Sequence, residues 1–243
     1  MDEDKLVTNI LVDGYRRAYK NRADNRIHVS NLKSFCPREF ALCNKHDILY
    51  NYRPNTRFGE IITFAIGDMI HESITSILEQ EKVLIVKEVK LANTDYGFLI
   101  TGSCDALIKA QGYPKYIPLE FKSMNGDRFD ALEEPTLNDA RQLSLYLWLM
   151  EKELTELANG NKRKLKVDTE TGVIVYFCKL YRSMPIKSYI VKRNENFIKA
   201  VEEQLKEVKT FSKQKKMPKR ICADAYTMMA KRPCRAVSVC FKK

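Results

Sequence analysis

The chain has 243 residues, of which 44% are hydrophobic and 30% are charged, a composition that suits one large globular domain and excludes a largely disordered protein. Lysine and arginine outnumber aspartate and glutamate by 42 to 31, giving a formal charge of +11, which predicts a polyanionic partner such as nucleic acid. No uninterrupted apolar run is long enough to span a bilayer, and the first residues, MDEDKLVTNI, lack a signal-peptide pattern. We therefore expect an intracellular protein with no membrane partner.

Helical spacing of apolar residues predicts three helices in the first third of the chain. They cover residues 6–22, residues 31–43 with Ser30 as the N-cap, and residues 59–81. The third helix has the most regular apolar stripe, and it contains His71.

Alternating and β-branched residues predict three strands at 83–92, 97–110 and 115–123, paired as a meander. A helix over 136–157, two strands at 172–181 and 186–193, and a helix over 194–213 follow. This order predicts an α/β fold with a central mixed sheet of about five strands flanked by helices. We divide the chain into a helical region at 1–58, a core at 59–213, and a basic, cysteine-containing tail at 214–243 that packs on the first region.

Two neighbouring predicted strands carry acidic residues in apolar surroundings. Side chains two apart share a face of a strand, so Glu120 and Lys122 emerge together, opposite Leu119 and Phe121. Asp105 lies within the apolar run ITGSCDALI, where an unpaired charge would be costly. If the strands pair antiparallel, Asp105 and Glu120 lie close enough to bind a divalent cation. From these residues alone, a surface salt bridge to Lys122 is the simpler interpretation.

Four fragments, GDMIHE, GSCDALI, PLEFKS and RQLSLYLWL, follow one another on a predicted helix, two strands and a helix. They contain, in order, Gly67 and His71, Gly102 and Asp105, Glu120 and Lys122, and Gln142 and Tyr146. This assembly resembles the RecB-type branch of the PD-(D/E)xK nuclease superfamily. The resemblance implies a restriction-endonuclease-like core and metal-dependent hydrolysis of DNA, often by exonuclease action on single strands.

The resemblance also implies a role for each of these side chains. His71, Asp105, Glu120 and the backbone carbonyl of Phe121 are the expected ligands of Mg²⁺ or Mn²⁺, and an imidazole ligand favours Mn²⁺. Lys122 is expected to hold and help deprotonate the attacking water, and to offset charge that builds on the phosphorus centre.

Further contacts with DNA are expected around this site. Gln142 and Tyr146 lie one helical turn apart and are expected to reach DNA phosphate or the ligand shell, although a Tyr in a leucine-rich helix is as often a core residue. Tyr50, Tyr52 and Phe58, near two arginines, are candidates for stacking unpaired bases.

The chain has seven cysteines, and because this number is odd and no export signal precedes them, disulfides are not expected. Cys36, Cys222, Cys234 and Cys240 resemble the four ligands of the 4Fe-4S cluster found in some members of this branch, including CRISPR-adaptation nucleases. Eleven residues separate Cys222 from Cys234, more than the family spacing. A Cys₄ zinc site and free thiols are the alternatives.

The sequence thus predicts a metal-dependent DNA nuclease, expected to be a single-strand exonuclease in recombination, replication or repair, in the cytoplasm of a bacterial or phage-infected cell. Its partner is DNA, single-stranded or with free ends. The alternatives are a CRISPR-adaptation nuclease with an iron-sulfur cluster and a nucleic-acid-binding protein that keeps the fold without cutting. Because the four residues His71, Asp105, Glu120 and Lys122 are all present, the enzyme is favoured.

Overall fold

A computed structural model describes residues 3–19, 24, 26–51, 56–153, 166–180, 185–214, 216–222 and 234–241. The elements in chain order are α1 (Glu3–Ala18), β1 (Ile27–His28), α2 (Val29–Leu32), α3 (Pro37–Lys45), α4 (Phe58–Gln80), β2 (Leu84–Asn93), β3 (Ile100–Ile108), β4 (Ile117–Met124), α5 (Gly126–Asp130), α6 (Leu137–Glu153), β5 (Thr171–Cys178), β6 (Ile186–Lys192), α7 (Glu195–Gln214) and α8 (Val237–Cys240). The predicted end of the helix over 136–157 lies outside the described residues.

The strands form one six-stranded mixed sheet in the order β1-β3-β4-β5-β6, with β2 paired to β3. β2, β3 and β4 pair antiparallel in sequence, as the predicted meander requires. β4 and β5 run parallel, and the chain between them includes α6, because a parallel pair needs a long crossover. The predicted α/β class and flanked mixed sheet are confirmed. The two-residue strand β1 was not predicted, and it brings the number of strands in this sheet to six.

β3 and β4 pair only through residues 106–108 and 117–119. The next residues on the two strands are Asp105 and Glu120, which stand opposite each other where the ladder stops. Here the backbone N–H of Phe121 donates to Asp105 Oδ2 at 2.6 Å instead of to a carbonyl of β3. The sheet therefore holds Asp105 by its own backbone at the end of the paired ladder.

Helices cover the two faces of the sheet. On one face, Ile74 of α4 packs against Leu119 and Phe121 of β4. On the other face lies α6, whose leucines from Leu143 to Leu149 are fully buried. α6 is apolar on more than one side because α2 and α7 also pack against it.

The predicted single helix over 31–43 is wrong, since two helices, α2 and α3, occupy this segment. Pro37 begins α3, where its missing N–H is no loss, and the residue before it, Cys36, is extended with φ −122° and ψ 104°. The break places Cys36 at the N-cap of α3, where its sulfur accepts from the N–H of Glu39.

Residues 216–222 and 234–241 pack against the N-terminal helices. Arg38 of α3 donates to the carbonyl of Pro218 at 2.8 Å, and the backbone N–H of Arg235 donates to Glu39 Oε1 at 2.9 Å. Ile27, Leu149 and Ala236 belong to one hydrophobic cluster. The three predicted regions thus share a core, and the boundaries between them stay a prediction.

By length and composition α4 is apolar enough to cross a membrane, with a mean hydropathy of 1.3 over 18 residues. The sequence contains no uninterrupted apolar run long enough to span a bilayer, so this property of α4 was not expected. In the structure, α4 packs on the sheet and carries His71 to the acids of β3 and β4.

Candidate active site

α4 delivers His71 to the point where the β3–β4 ladder ends. Its Nδ1 lies 3.5 Å from Asp105 Oδ1, and its ring meets the Phe121 ring edge-on at 5.5 Å between centroids. Asp105 is fixed from the other side by the Phe121 N–H. The imidazole and this carboxylate therefore form one end of a polar site that the sheet and α4 hold in place.

The other end of the site is a hydrogen-bonded network between β4 and α6. Lys122 Nζ donates to Glu120 Oε1 at 2.6 Å, and Gln142 Nε2 donates to the same oxygen at 2.8 Å. Gln142 Nε2 also lies 2.9 Å from the hydroxyl of Tyr146. Gln142 and Tyr146 are 7% and 5% exposed. Both side chains thus lie in the shell around Glu120, and their contact with DNA stays a prediction.

Glu120 is only 3% exposed, and its second oxygen, Oε2, is buried without a hydrogen-bond partner in the described part of the chain. A buried carboxylate oxygen without a partner is costly. Burial raises the pKa of Glu120 to about 7, although the neighbouring Lys122 acts to lower it and Asp105 adds to the rise. One oxygen of this acid is therefore held by the protein and the other is not.

The pKa values of Lys122 and His71 are both raised in the site. Burial lowers the pKa of Lys122, but its ion pair with Glu120 outweighs burial, so the pKa is raised overall. The contact with Asp105 raises the pKa of His71 against the opposing effect of burial. Lys122 is thus held as an ammonium group, which donates hydrogen bonds and does not accept a proton.

Two glycines of the predicted motifs, Gly67 and Gly102, differ in how closely other residues pack against them. A Cβ at Gly102 would lie 2.6 Å from Val29 and 2.9 Å from the Tyr146 ring, so only glycine lets α2 and α6 approach β3 this closely. A Cβ at Gly67 would meet only the hydroxyl of Ser123, at 4.0 Å. Gly102 is therefore required for the packing behind Glu120, and Gly67 is not.

Sequence reasoning missed one residue of the site, Lys33, at the end of α2. Its Nζ donates to Gln142 Oε1 at 2.8 Å, and Lys122 Nζ reaches the same oxygen at 3.3 Å. Burial and the nearby Lys122 lower the pKa of Lys33. No spacing pattern relates Lys33 to Gln142, so the sequence gave no signal for it.

The residues fit a divalent cation by their chemistry. Within the described ranges, no three His, Cys, Asp or Glu side chains converge closely enough to hold an ion as they stand, because His71 contacts Asp105 and Lys122 holds Glu120. The unpartnered Glu120 Oε2 nevertheless gives the site a buried anionic oxygen, with an imidazole and a second carboxylate nearby. Nitrogen and oxygen donors of this kind suit Mn²⁺ or Mg²⁺. The carbonyl of Phe121 as a ligand stays a prediction.

The cysteines gather at α3 and the tail. Cys36 and Cys240 both raise the pKa of Cys234, which burial and Glu39 bring to about 11. Burial and Glu39 likewise raise the pKa of Cys43 to about 12, with Cys234 and Cys36 contributing. Two of the predicted cluster ligands, Cys36 and Cys240, thus lie close enough to Cys234 to raise its pKa, whereas Cys222 is not among the causes of either shift.

The proposed stacking residues are only partly suited to that role. Tyr50 is fully buried against Phe40, so its predicted role in base stacking is wrong. Tyr52 lies outside the described residues. Phe58 is partly buried and meets Tyr15 edge-on, with Arg16 over its ring at 5.9 Å.

A second aromatic pair joins Tyr19, the residue after α1, to Phe64 of α4. The rings of Tyr19 and Phe64 stack at 6.1 Å with an interplanar angle of 12°, and Phe64 is 43% exposed. Phe64 and His71 are seven residues apart and so on one face of α4, roughly 10 Å from each other along its axis. An exposed aromatic surface therefore leads along α4 to the site.

The fold is similar to two solved structures. The crystal structure of SSO0001 matches with a TM-score of 0.52 and 20% identity, covering 97% of this chain and 96% of that chain. An alkaline exonuclease from Laribacter hongkongensis matches with a TM-score of 0.51 and 10% identity, covering 79% of this chain and 94% of that one. At these identities the likeness concerns the fold. No protein-family model matches the chain, and no curated protein matches it in sequence.

Proposed function

We propose that this protein is a metal-dependent nuclease that hydrolyses phosphodiester bonds in DNA at the His71, Asp105, Glu120 and Lys122 site. The observation that carries the proposal is the buried, unpartnered Oε2 of Glu120, next to an ammonium group and an imidazole–carboxylate pair. A protein retains such an oxygen where a ligand binds it. The shared fold with an alkaline exonuclease adds support.

A bound Mn²⁺ or Mg²⁺ would lower the pKa of a water molecule and polarise the phosphate. In this proposal His71, Asp105 and Glu120 hold the ion. Lys122, held as an ammonium group by Glu120, donates a hydrogen bond to the attacking water and offsets charge on the phosphate. While Lys122 is paired in this way it does not accept a proton from the water. Of the roles expected from the sequence, holding the water and offsetting charge on the phosphate therefore remain.

Gln142 and Tyr146 support this chemistry by orienting Glu120. Gln142 donates to Glu120 Oε1 and to the Tyr146 hydroxyl, while its own oxygen accepts from Lys122. Oε1 is thus fixed from two sides, and Oε2 is the buried oxygen that has no partner among the described residues. We assign these two residues as positioning residues, with phosphate contact by Gln142 as the further expectation.

The test is incubation of purified protein with end-labelled single-stranded DNA and Mn²⁺, beside the variant Glu120→Gln, which keeps the shape of the side chain. We expect product from the native protein and none from Glu120→Gln. Tight binding of DNA by the native protein without product would instead favour a nucleic-acid-binding protein that retains the fold. The labelled ends also report the polarity of digestion.

We propose single strands, or ends that supply them, as the substrate because the Tyr19–Phe64 surface offers aromatic faces on which bases stack. Phe64→Ala should weaken binding of single-stranded DNA about tenfold and binding of blunt duplex much less. Ile66→Ala is the matched control, since Ile66 is 41% exposed on the same helix but on another face. Equal effects of the two variants would remove the stacking role.

We also propose that the protein acts in recombination, replication or repair, in the cytoplasm.

We also propose an iron-sulfur cluster on Cys36, Cys222, Cys234 and Cys240, supported by the closeness of Cys36 and Cys240 to Cys234, whose pKa they raise. Burial raises the pKa of the Cys234 thiol to about 11, so cluster binding there must displace a proton. Iron and sulfide content after anaerobic purification tests this. Cys222→Ser and Cys43→Ser, compared side by side, identify the fourth ligand. Zinc, or no metal, in the native protein contradicts the cluster.

A further inference from the structure

Among the described residues of the candidate site, Lys33 is a cation to which the proposed mechanism gives no role. It lies at the C-terminal end of α2, which packs against α6 and β3. Its ammonium nitrogen and that of Lys122 both donate to Gln142 Oε1, at 2.8 and 3.3 Å. Two positive groups are therefore brought together on one neutral oxygen.

The two lysines differ in how their charge is balanced. Lys122 lies 2.6 Å from the carboxylate of Glu120, whereas Lys33 forms no ion pair with any carboxylate of the described residues. Its hydrogen-bond acceptor, the side chain of Gln142, is an uncharged amide. Within the site, the charge of Lys122 is neutralised and that of Lys33 is not.

This arrangement is unfavourable for the protein alone. Burial and the charge of Lys122 disfavour the ammonium form of Lys33 and outweigh the opposing effect of Asp139 and Glu120, so its pKa is lowered. An anion beside Lys33 would reverse both effects, because it replaces lost hydration and opposes the repulsion between the lysines. The site therefore lacks one negative charge next to Lys33.

We propose that Lys33 binds a phosphate of the substrate strand that neighbours the phosphate being cut. A nucleic-acid strand carries a phosphate on every nucleotide, so a strand with one phosphate at Lys122 brings another close by. Gln142 holds Lys33 in reach, and the backbone charge is recognised whatever the base sequence. This inference rests on the proposed nuclease function.

The first test is binding of labelled single-stranded DNA without divalent ions, measured by fluorescence anisotropy over a range of salt concentrations. Lys33→Met should weaken binding about tenfold. It should also lower the slope of log affinity against log salt by about 0.7, the value for one lost contact on a single strand. Lys33→Arg should stay near native. Lys87→Met is the matched control, since Lys87 is an exposed lysine outside the site, paired with Glu72.

The second test places a neutral methylphosphonate linkage on either side of the cut position. The native protein should lose about tenfold in affinity at one of the two positions, and Lys33→Met should lose nothing further there, because the two changes remove the same contact. If Lys33→Met binds with native affinity and salt slope, or stays as sensitive to the neutral linkage as the native protein, Lys33 only supports Gln142 and the inference is wrong.

These measurements separate the two proposals. A native protein that cuts DNA while Lys33→Met leaves binding and salt dependence unchanged contradicts the role of Lys33 alone. A native protein that neither binds nor cuts DNA contradicts the proposed function and this inference with it. Thermal unfolding of Lys33→Met and Lys33→Arg shows whether both variants fold.

Discussion

Among the described residues, two glutamates are deeply buried, and their surroundings differ. Glu39, on α3, is 1% exposed, and its Oε1 accepts from the backbone N–H of Arg235 at 2.9 Å and lies 3.6 Å from the Arg235 guanidinium group. Glu120, on β4, is 3% exposed, and while Oε1 is bound by Lys122 and Gln142, Oε2 has no partner among the described residues. The two side chains are almost equally buried, but Glu120 has a buried carboxylate oxygen without a hydrogen-bond partner among the described residues.

The difference teaches how to tell a structural acid from a functional one. Glu39 joins α3 to the tail, and the protein itself supplies its partners. Glu120 is fixed by one oxygen, its other oxygen has no partner among the described residues, and the charges of His71 and Asp105 act on it. A half-satisfied buried carboxylate, with a raised pKa and a fixed orientation, is the pattern expected of a metal ligand.

The largest expected effect is on catalysis. Lys122→Ala should lower turnover by about 10³-fold, because it removes charge stabilisation at the phosphate. Affinity for DNA should change little by comparison. Single-turnover cleavage together with anisotropy measures both quantities, and Lys87→Ala serves as the control for loss of a lysine outside the site. A parallel loss of binding and turnover would make Lys122 a binding residue.

The next effect is on stability and compares the two glutamates directly. Glu39→Ala leaves the Arg235 side chain and N–H without their partner and should lower the free energy of unfolding by about 3 kcal/mol. Glu120→Gln removes the buried charge but keeps an oxygen that can accept from Lys122 and Gln142, so at pH 8 it should lower the free energy of unfolding by less than about 1 kcal/mol. Urea unfolding of both variants measures this. Equal destabilisation would mean that Glu120 is as structural as Glu39.

Packing behind Glu120 gives a smaller effect. Gly102→Ala should cost about 2 kcal/mol, because the new methyl group meets Val29 and the Tyr146 ring. Gly67→Ala, inside α4 and free of such contacts, should be neutral or stabilising by up to about 1 kcal/mol. Thermal unfolding compares the two. Should both variants behave alike, the close approach at Gly102 is not what holds the network.

The pH dependence of metal binding gives the smallest effect. Burial raises the pKa of Glu120 to about 7. The proton on Glu120 therefore stabilises the folded state below the ordinary pKa of the acid, and this stabilisation is lost as the pH rises through 7. Mn²⁺ needs the carboxylate, so its affinity should fall at least about tenfold per pH unit below 7. The raised pKa of His71 acts in the same direction. Calorimetry that finds the same affinity at acidic and neutral pH contradicts this assignment.

The sequence predicted the elements that position the site well, because their signals are local. Period-two alternation placed Glu120 and Lys122 on one face of a strand, and helical spacing placed His71 on α4. Helical spacing alone failed at Pro37, where the pattern continues but the backbone must break.

The rest of the site depends on contacts between distant segments. Lys33 and Gln142 are 109 residues apart, and no pattern relates them. The sequence also could not separate Glu39 from Glu120, because only the fold decides which carboxylate oxygens find partners. For the same reason Cys43 drew no attention, although it lies with Cys36 and Cys234 in the structure.

The most direct test of the central claim is a titration of Mn²⁺ into native protein, Glu120→Gln and Glu39→Gln, followed by electron paramagnetic resonance. We expect the native protein and Glu39→Gln to bind Mn²⁺ in a stoichiometric amount, and Glu120→Gln to bind it at least about tenfold more weakly. Mn²⁺ binding that is equally tight in Glu120→Gln, or absent from the native protein, would contradict the assignment of Glu120 as a metal ligand.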